Sequence, residues 1–323
     1  MNKFILKLKR SAPVVLARRE YWRIRGAHDF KKYDDYTYIN KLYRKLGREL
    51  NLTDPKRYTE KLQWLKLFWR DDLAPICSDK YEVRKYLEDK GYAYLLNDLI
   101  AVYETVDDFD ITALPERFVL KASHGSGWNL IVKDKSKVNW FWWKKIMRSW
   151  MNQNLYWFGR EWNYQNQKPR IVVEKYLEDD SGELRDYKII CTNGTPKFLQ
   201  VDENRATNHK RIYVDCTNGK PLDFEDDLAN MDEMSFRFGD LQREMVRIAE
   251  DLCKPFTYVR VDFYECGGKI YFGELTFFGG SGFFSFSPDK ADFILGDMIQ
   301  LPAPNYNLEL YEKIHNAAKK GSI

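Results

Sequence analysis

The residues best suited to chemistry lie in Val259–Phe284, VRVDFYECGGKIYFGELTFFGGSGFF, which reads as two strands joined by a glycine turn. Asp262 sits on the first strand and Glu274 on the second. Side chains alternate along a strand, so Arg260 shares a face with Asp262, and Thr276 shares one with Glu274. Both runs are otherwise apolar or aromatic. Carboxylates in such a setting are costly unless they are paired or hold a metal. Mg²⁺ prefers carboxylate oxygens and usually keeps phosphate as a further ligand. The pattern therefore points to Mg²⁺–nucleotide chemistry, with a plain amphipathic hairpin as the alternative. Register decides between them. Asp262 faces Glu274 only if paired positions sum to 536, which requires an odd-length loop centred on Gly268 or a bulge; a two-residue Gly267–Gly268 loop would turn Glu274 to the wrong face.

Further candidates lie upstream. Lys121 ends the run FVLKA and is followed by Ser123–His124–Gly125–Ser126–Gly127. Glycines let backbone N–H groups approach a phosphate, and a lysine beside them supplies charge. No Gly-Lys-Ser/Thr follows, so this is not a Walker loop, and a hairpin turn also explains it. Glu174–Lys175–Tyr176–Leu177 leaves a β-branched strand and reads as a strand end or as a hinge whose backbone meets adenine. Asp186 and Lys188 share one face of the next strand, as a cross-strand ion pair would. Arg205 closes VDENR, and Asp79–Lys80 opens an early helix. Capping explains Asp79 but not Lys80.

The elements that position these residues are legible in outline. Residues 1–30 form a basic helix and 33–70 further helices, with Leu62, Leu65 and Phe68 at helical spacing. Ser78–Asp79 cap a helix running to about Lys90, which Gly91 stops. Strands are expected over 95–102, 118–122, 130–133, 170–177, 186–191 and 197–201, with a turn at Asn193–Gly194. Helices are expected over 139–158, rich in tryptophan, and over 236–253, and a last short helix follows a Pro-rich tail. Strands joined by hairpins and helices in this mixture make an α+β or α/β fold.

Bulk properties exclude several classes. The chain has 323 residues, a net charge of +4 and 16% aromatics, enough for a substantial core. No apolar run is long enough to span a membrane, and charge interrupts the N-terminal apolar run, which makes a poor signal peptide. The five cysteines are scattered and read as free thiols. The four histidines show no metal or triad grouping. Residues 1–70 hold 19 Lys/Arg against seven Asp/Glu, so the remainder is net acidic. That basic stretch is a solvated helical surface or a docking face for an anionic partner.

Taken in order, EKLQWLKL, SDKYEVR, LPERFVLKASHGSG, RDYKIICTNGTPKF, VRVDFYECGGKIYFGELTF and SGFFSFSPDKAD resemble the ATP-grasp superfamily, and within it the TupA-like (teichuronopeptide biosynthesis) family, over residues 55–296. The resemblance implies an ATP-grasp fold, two α+β subdomains gripping ATP, with a helical basic N-terminal extension. It divides the chain into a basic helical region (1–75), a small lead-in (76–118), a nucleotide-binding subdomain (119–180) and a metal and catalytic subdomain (181–323). It implies that Lys80 and Lys121 hold the α/β-phosphates and that His124–Gly127 (His124, Gly125, Ser126, Gly127) close over the triphosphate. Glu174 and Leu177 would meet adenine, and Asp186 the ribose. Lys188 and Arg205 would face the γ-phosphate, and Arg260 the reacting phosphoryl group and oxyanion. Asp262, Glu274 and Thr276 would bind one or two Mg²⁺. The family pattern has Asn where Thr276 stands, and a hydroxyl is a weaker ligand.

The implied activity is ATP-dependent carboxylate–amine ligation through an acylphosphate, forming an amide in cell-surface polysaccharide biosynthesis. The partners would be a small-molecule amine and a glycan or peptide carboxylate. A peripheral membrane or acidic-polymer contact through residues 1–70 goes with a cytoplasmic location, and nucleic acid is not expected. Two other readings stay open: a glycosyltransferase, for which Asp107–Asp108–Phe109–Asp110 is the nearest acidic cluster, and a catalytically weak ATP-binding assembly partner, motivated by Thr276.

Overall fold

A computed structural model describes residues 11–178, 184–203, 209–226, 229–230 and 236–319. Helices α1 (Ala12–Lys32), α2 (Asp35–Tyr43), α3 (Tyr58–Phe68), α4 (Leu73–Ser78) and α5 (Val83–Asp89) come first. Asp34 begins α2 by accepting the Thr37 N–H at 2.9 Å. Glu60 reaches back from α3 to the Lys56 and Arg57 N–H groups, 2.9 and 3.0 Å away, and so caps its own helix. Asp79 caps the turn into α5 by accepting from Tyr81 and Glu82 N–H, whereas Ser78 closes α4.

Two antiparallel sheets follow. The first has the order β1 (Leu99–Tyr103), β4 (Ile171–Lys175), β2 (Phe118–Ala122), β3 (Asn129–Val132). Its apolar face, with Phe118, Leu120, Ile171 and Val173, packs on Ile146, Met147 and Trp150 of α6 (Trp140–Met151). The tryptophan-rich segment is thus mostly core. The expected single helix over 139–158 is two, because the chain leaves α6 at Asn152 and re-forms α7 only at Tyr156–Gly159.

The second sheet has six strands in the order β10, β9, β5, β6, β7, β8. These are β5 (Asp186–Thr192), β6 (Thr195–Glu203), β7 (Lys210–Asp215), β8 (Ala229–Asn230), β9 (Tyr258–Cys266) and β10 (Lys269–Thr276). One face carries Ile189, Leu199, Val261 and Phe263, all buried. It joins the same core as Met245, Ile248, Ala249 and Leu252 of α8 (Asp240–Cys253). That i, i+3, i+4, i+7 spacing is what a helix lying on a sheet requires. Helices α9 (Lys290–Asp297) and α10 (Leu308–Lys319) are the last described elements. Asp292 of α9, fully buried, accepts from Thr59 N–H and hydroxyl at 3.0 and 2.8 Å and pairs with Arg48 at 2.7 Å.

The β9–β10 register is the key local result. From Lys269↔Cys266 to Phe272↔Phe263 the pairing is that of a two-residue turn, with Gly267 at φ 58° and Gly268 at φ 73°. At Gly273 the register shifts by one, and Glu274 then pairs with Asp262, and Thr276 with Arg260. The bulge, not an odd loop, brings the carboxylates to one face. Gly273 suits the bulge because a Cβ there would lie 3.0 Å from the Asp262 carbonyl and 3.1 Å from the Tyr264 ring.

Candidate active site

The polar face of the six-stranded sheet carries a row of facing residues: Glu274 beside Asp262, Asp262 beside Lys188, Lys188 beside Gln200. Backbone pairing thereby places the two candidate metal ligands next to a lysine. Arg260, two residues before Asp262 and on the same face, binds its carboxylate in a bidentate pair at 2.7 and 2.6 Å. The Arg260 guanidinium also donates to the Thr276 hydroxyl at 3.2 Å, and that hydroxyl donates to Glu274 at 3.4 Å. Thr276 is therefore engaged with one carboxylate of the pair and with the arginine that binds the other.

Lys80 joins the two sheets. Its ammonium lies 3.2 Å from Glu274 and donates to the Gly125 carbonyl at 2.7 Å. The glycine loop is thus tethered to the carboxylate site. Burial by itself would raise the Glu274 carboxyl, but Lys80, Arg260 and Lys121 outweigh it and hold the group at about 2. Burial pushes Asp262 up to about 6 against the pull of Arg260. Two adjacent acids with opposite shifts mark a site whose charge is set by its neighbours.

On the four-stranded sheet, Lys121 donates to Glu174 at 2.6 Å across β2 and β4. Leu177 lies just beyond β4, half-buried. Ser126 and Gly127 form the exposed tip of the loop between β2 and β3, and Gly127 has φ 66°. The His124 side chain does not share that tip. Its ring is buried, packs on Trp128 and has one nitrogen 3.0 Å from the Trp150 carbonyl, and burial lowers its pKa. Asp186 is buried 3.2 Å from Lys188. Arg205 lies outside the described residues.

Several residues that pattern reading did not single out bear on the site. Asp202, 1% exposed, accepts from Lys188 at 2.5 Å, Gln200 at 2.8 Å and Arg211 at 2.6 Å, and lies 2.9 Å from a His209 nitrogen. Burial opposes its ionisation, but Lys188 and Arg211 hold its carboxyl well below the usual range. Alternation places Asp202 on the face of Gln200, which was the available signal. Arg19 of α1 donates to the Gly127 carbonyl at 2.8 Å, a contact between residues 108 positions apart that no local pattern marks.

Among the described residues no three His, Cys, Asp or Glu side chains form a metal cluster. A cation here would have two protein carboxylates, and the remaining ligands would be phosphate or water oxygens, which is how Mg²⁺ is commonly held. Two cations contact that pair directly, Lys80 at Glu274 and Arg260 at Asp262. Lys188 stands beside Asp262 in the strand register while pairing with Asp202, and Lys121, paired with Glu174, acts on Glu274 from further off. The donor set suits a polyphosphate with its metal. Among the described residues no helix is long and apolar enough to cross a membrane.

The TupA-like ATPgrasp family model matches residues 60–300. No curated protein matches the chain. A solved D-alanine–D-alanine ligase from Bacillus anthracis is similar at 17% identity and TM-score 0.42, over 82% of this chain and 72% of that one. The Helicobacter pylori D-alanine–D-alanine ligase is similar at 13% and 0.39, over 76% and 70%. Phosphoribosylamine–glycine ligase from Thermotoga maritima is similar at 11% and 0.40, over 65% and 50%. These likenesses are distant, and the family match stands without them.

Proposed function

This chain belongs to the TupA-like ATP-grasp family, and from that premise we propose that it is an ATP-dependent carboxylate–amine ligase. The observation that carries the reading is the bulge-set pairing of Glu274 with Asp262, contacted by Lys80 and Arg260 and with Lys188 on the adjoining strand. ATP is the phosphoryl donor. The acceptor is a uronic-acid-type or peptide carboxylate of cell-surface polysaccharide biosynthesis, and the amine is an amino acid or amino compound.

Lys80 and Lys121 bind the α/β-phosphates under the loop from Gly125 to Gly127, with Glu174 and Leu177 toward adenine and Asp186 toward ribose. Asp262 and Glu274, with the Thr276 hydroxyl beside them, would hold Mg²⁺, which would supply neutralisation of charge on the phosphate oxygens. The acceptor carboxylate attacks the γ-phosphorus, and ADP leaves with the electron pair of the broken P–O bond. The amine then adds to the acyl carbon, loses its proton, and expels phosphate to leave the amide. No nucleophilic side chain is needed; the protein orients the reactants and offsets charge. Lys188 and Arg205 act on the transferring phosphoryl group. Arg260 stabilises the oxyanion, a kind of contribution whose loss costs about 10²–10³-fold in rate.

The exposed side of α1 supports a contact with an anionic membrane surface or acidic polymer, because Arg18, Arg25, Lys31 and Lys32 lie there with Tyr21 and Trp22. The ligase reading is tested by ADP release, which is expected only when a carboxylate and an amine are both present, and by hydroxylamine, which is expected to trap the acylphosphate as a hydroxamate. A broad carboxylate panel that yields no hydroxamate would overturn it. Stabilisation by UDP-sugars in place of Mg²⁺–ATP would favour glycosyl transfer.

A further inference from the structure

Helix α3 bears the segment EKLQWLKL, three of whose four polar positions, Glu60, Gln63 and Lys66, are buried at 6, 0 and 1% exposure. Glu60 is accounted for by capping its own helix. Gln63 and Lys66 are not. The Gln63 amide donates to the carbonyls of Ser281 and Gly282 at 3.1 and 2.9 Å. The Lys66 ammonium donates to the carbonyls of Ser281 and Gly159 at 2.9 and 2.7 Å. The Ser281 hydroxyl in turn donates to Glu161, itself only 6% exposed. Arg160, next in sequence, anchors that segment to α2 through Asp35 at 3.0 Å.

These partners converge on a loop whose backbone is unusual. Gly280, Ser281 and Gly282 have φ of 52°, 53° and 68°. A non-glycine residue in the left-handed region persists only where its surroundings over-determine it. Gly282 has no room for a side chain, since a Cβ would sit 2.7 Å from the Gln63 amide nitrogen and 2.9 Å from Leu62. At its other end the loop abuts the reacting centre: a Cβ on Gly279 would lie 3.1 Å from an Arg260 guanidinium nitrogen. A buried ammonium and carboxylate are expensive, and apolar residues would fill the same space more cheaply. Where such groups are kept, the gain lies in fixing one conformation.

We propose that Gln63, Lys66 and Glu161 are positioning residues that fix the Gly279–Gly282 loop against Arg260 and so define the acceptor end of the site. The assignment of that end as the acceptor's rests on the ligase reading; the positioning does not. Glu161→Ala removes the Ser281 partner, Glu161→Gln keeps a carbonyl oxygen to accept it, and Lys66→Met removes two donors while keeping the side chain's length.

The test measures amide exchange across the full chain, the affinity for Mg²⁺–AMPPNP, and hydroxamate formation from glucuronate with ATP and hydroxylamine. In Glu161→Ala, exchange in the 277–284 segment is expected to speed up by roughly tenfold or more, with the β2 and β9 strands unchanged. Glu161→Gln is expected to restore protection. Mg²⁺–AMPPNP affinity is expected to stay within about twofold while hydroxamate formation falls about tenfold. Lys66→Met is expected to free the same segment. Unchanged loop protection in folded Glu161→Ala, or loss spread evenly over the chain, would overturn the proposal. A wild-type protein that makes no hydroxamate, but whose loop is still freed in Glu161→Ala, would support the positioning and count against the ligase reading.

Discussion

The two sheets present their charges in different ways. On the four-stranded sheet, Lys121 and Glu174 form one cross-strand pair whose side chains are 20% and 10% exposed. On the six-stranded sheet, Asp202 alone takes donors from Lys188, Gln200 and Arg211, and Arg260 binds Asp262 while touching Thr276. Burial does not separate the two, since Arg260 and Asp262 are 16% and 9% exposed; connectivity does, because each member of a single pair has one side-chain contact to exchange for a ligand. A shared buried network holds its members in place before any ligand arrives, and such preorganisation is what stabilises developing charge. On the proposed ligase reading, the first sheet would exchange contacts with the nucleotide and the second would hold the reacting phosphoryl group in a fixed field.

Substitutions that break or sharpen this contrast are expected to differ in size. Asp262→Asn removes a carboxylate from the candidate metal pair and leaves Arg260 without its bidentate partner. ADP release is expected to fall about 10³-fold, and wild-type turnover in a folded variant would remove the basis for the site. Asp202→Asn comes next. The Asp202 carboxyl titrates below its ordinary value in the folded state, so its stabilising contribution is present above about pH 4 and is lost as the pH falls further. Urea midpoints should therefore separate the variant from wild type by about 3 kcal/mol at pH 7. The gap should narrow steadily from pH 4 to pH 2; a gap constant with pH would show that the carboxylate charge is not what matters.

Smaller effects are expected at two further positions. Gly273→Ala pushes a Cβ against the Asp262 carbonyl. It is expected to cost about 1 kcal/mol in thermal unfolding and to weaken Mg²⁺ binding by calorimetry, whereas Gly268→Ala at the turn should leave Mg²⁺ binding unchanged. Equal Mg²⁺ affinities in the two variants would separate the bulge from the site. Glu174→Gln, on the first sheet, should change the KM for ATP by only about threefold and leave kcat in place. A large fall in kcat would mean that the two sheets are not as different as their contacts indicate.

Much of the candidate site was legible because it is local or periodic. Asp262 and Glu274 stand twelve positions apart around a glycine turn, and strand alternation puts them on one face only in a register where paired positions sum to 536. Asp186 and Lys188 were found by the same period. The means of reaching that register was less legible, because a loop of odd length and a bulge satisfy the same pattern. The register shift between Phe272 and Glu274 shows which was used. The inward turn of His124 was not legible either: Trp128 stands only four positions on in the same loop, but the carbonyl its ring faces belongs to Trp150 of α6.

The amino-acid sequence by itself determined which residues can share a strand face, where glycines free the backbone, and which ordered set of motifs the chain shares with its family. These depend on covalent geometry and on neighbours a few positions away. Only the tertiary structure decided that Lys80 reaches Glu274 while holding the Gly125 carbonyl, and that Lys66 of α3 grips a carbonyl 215 residues along the chain. Such contacts are set by how sheets and helices stack once their apolar faces are buried. No spacing rule reports them, because the chain between the partners is free to take any course that closes the core.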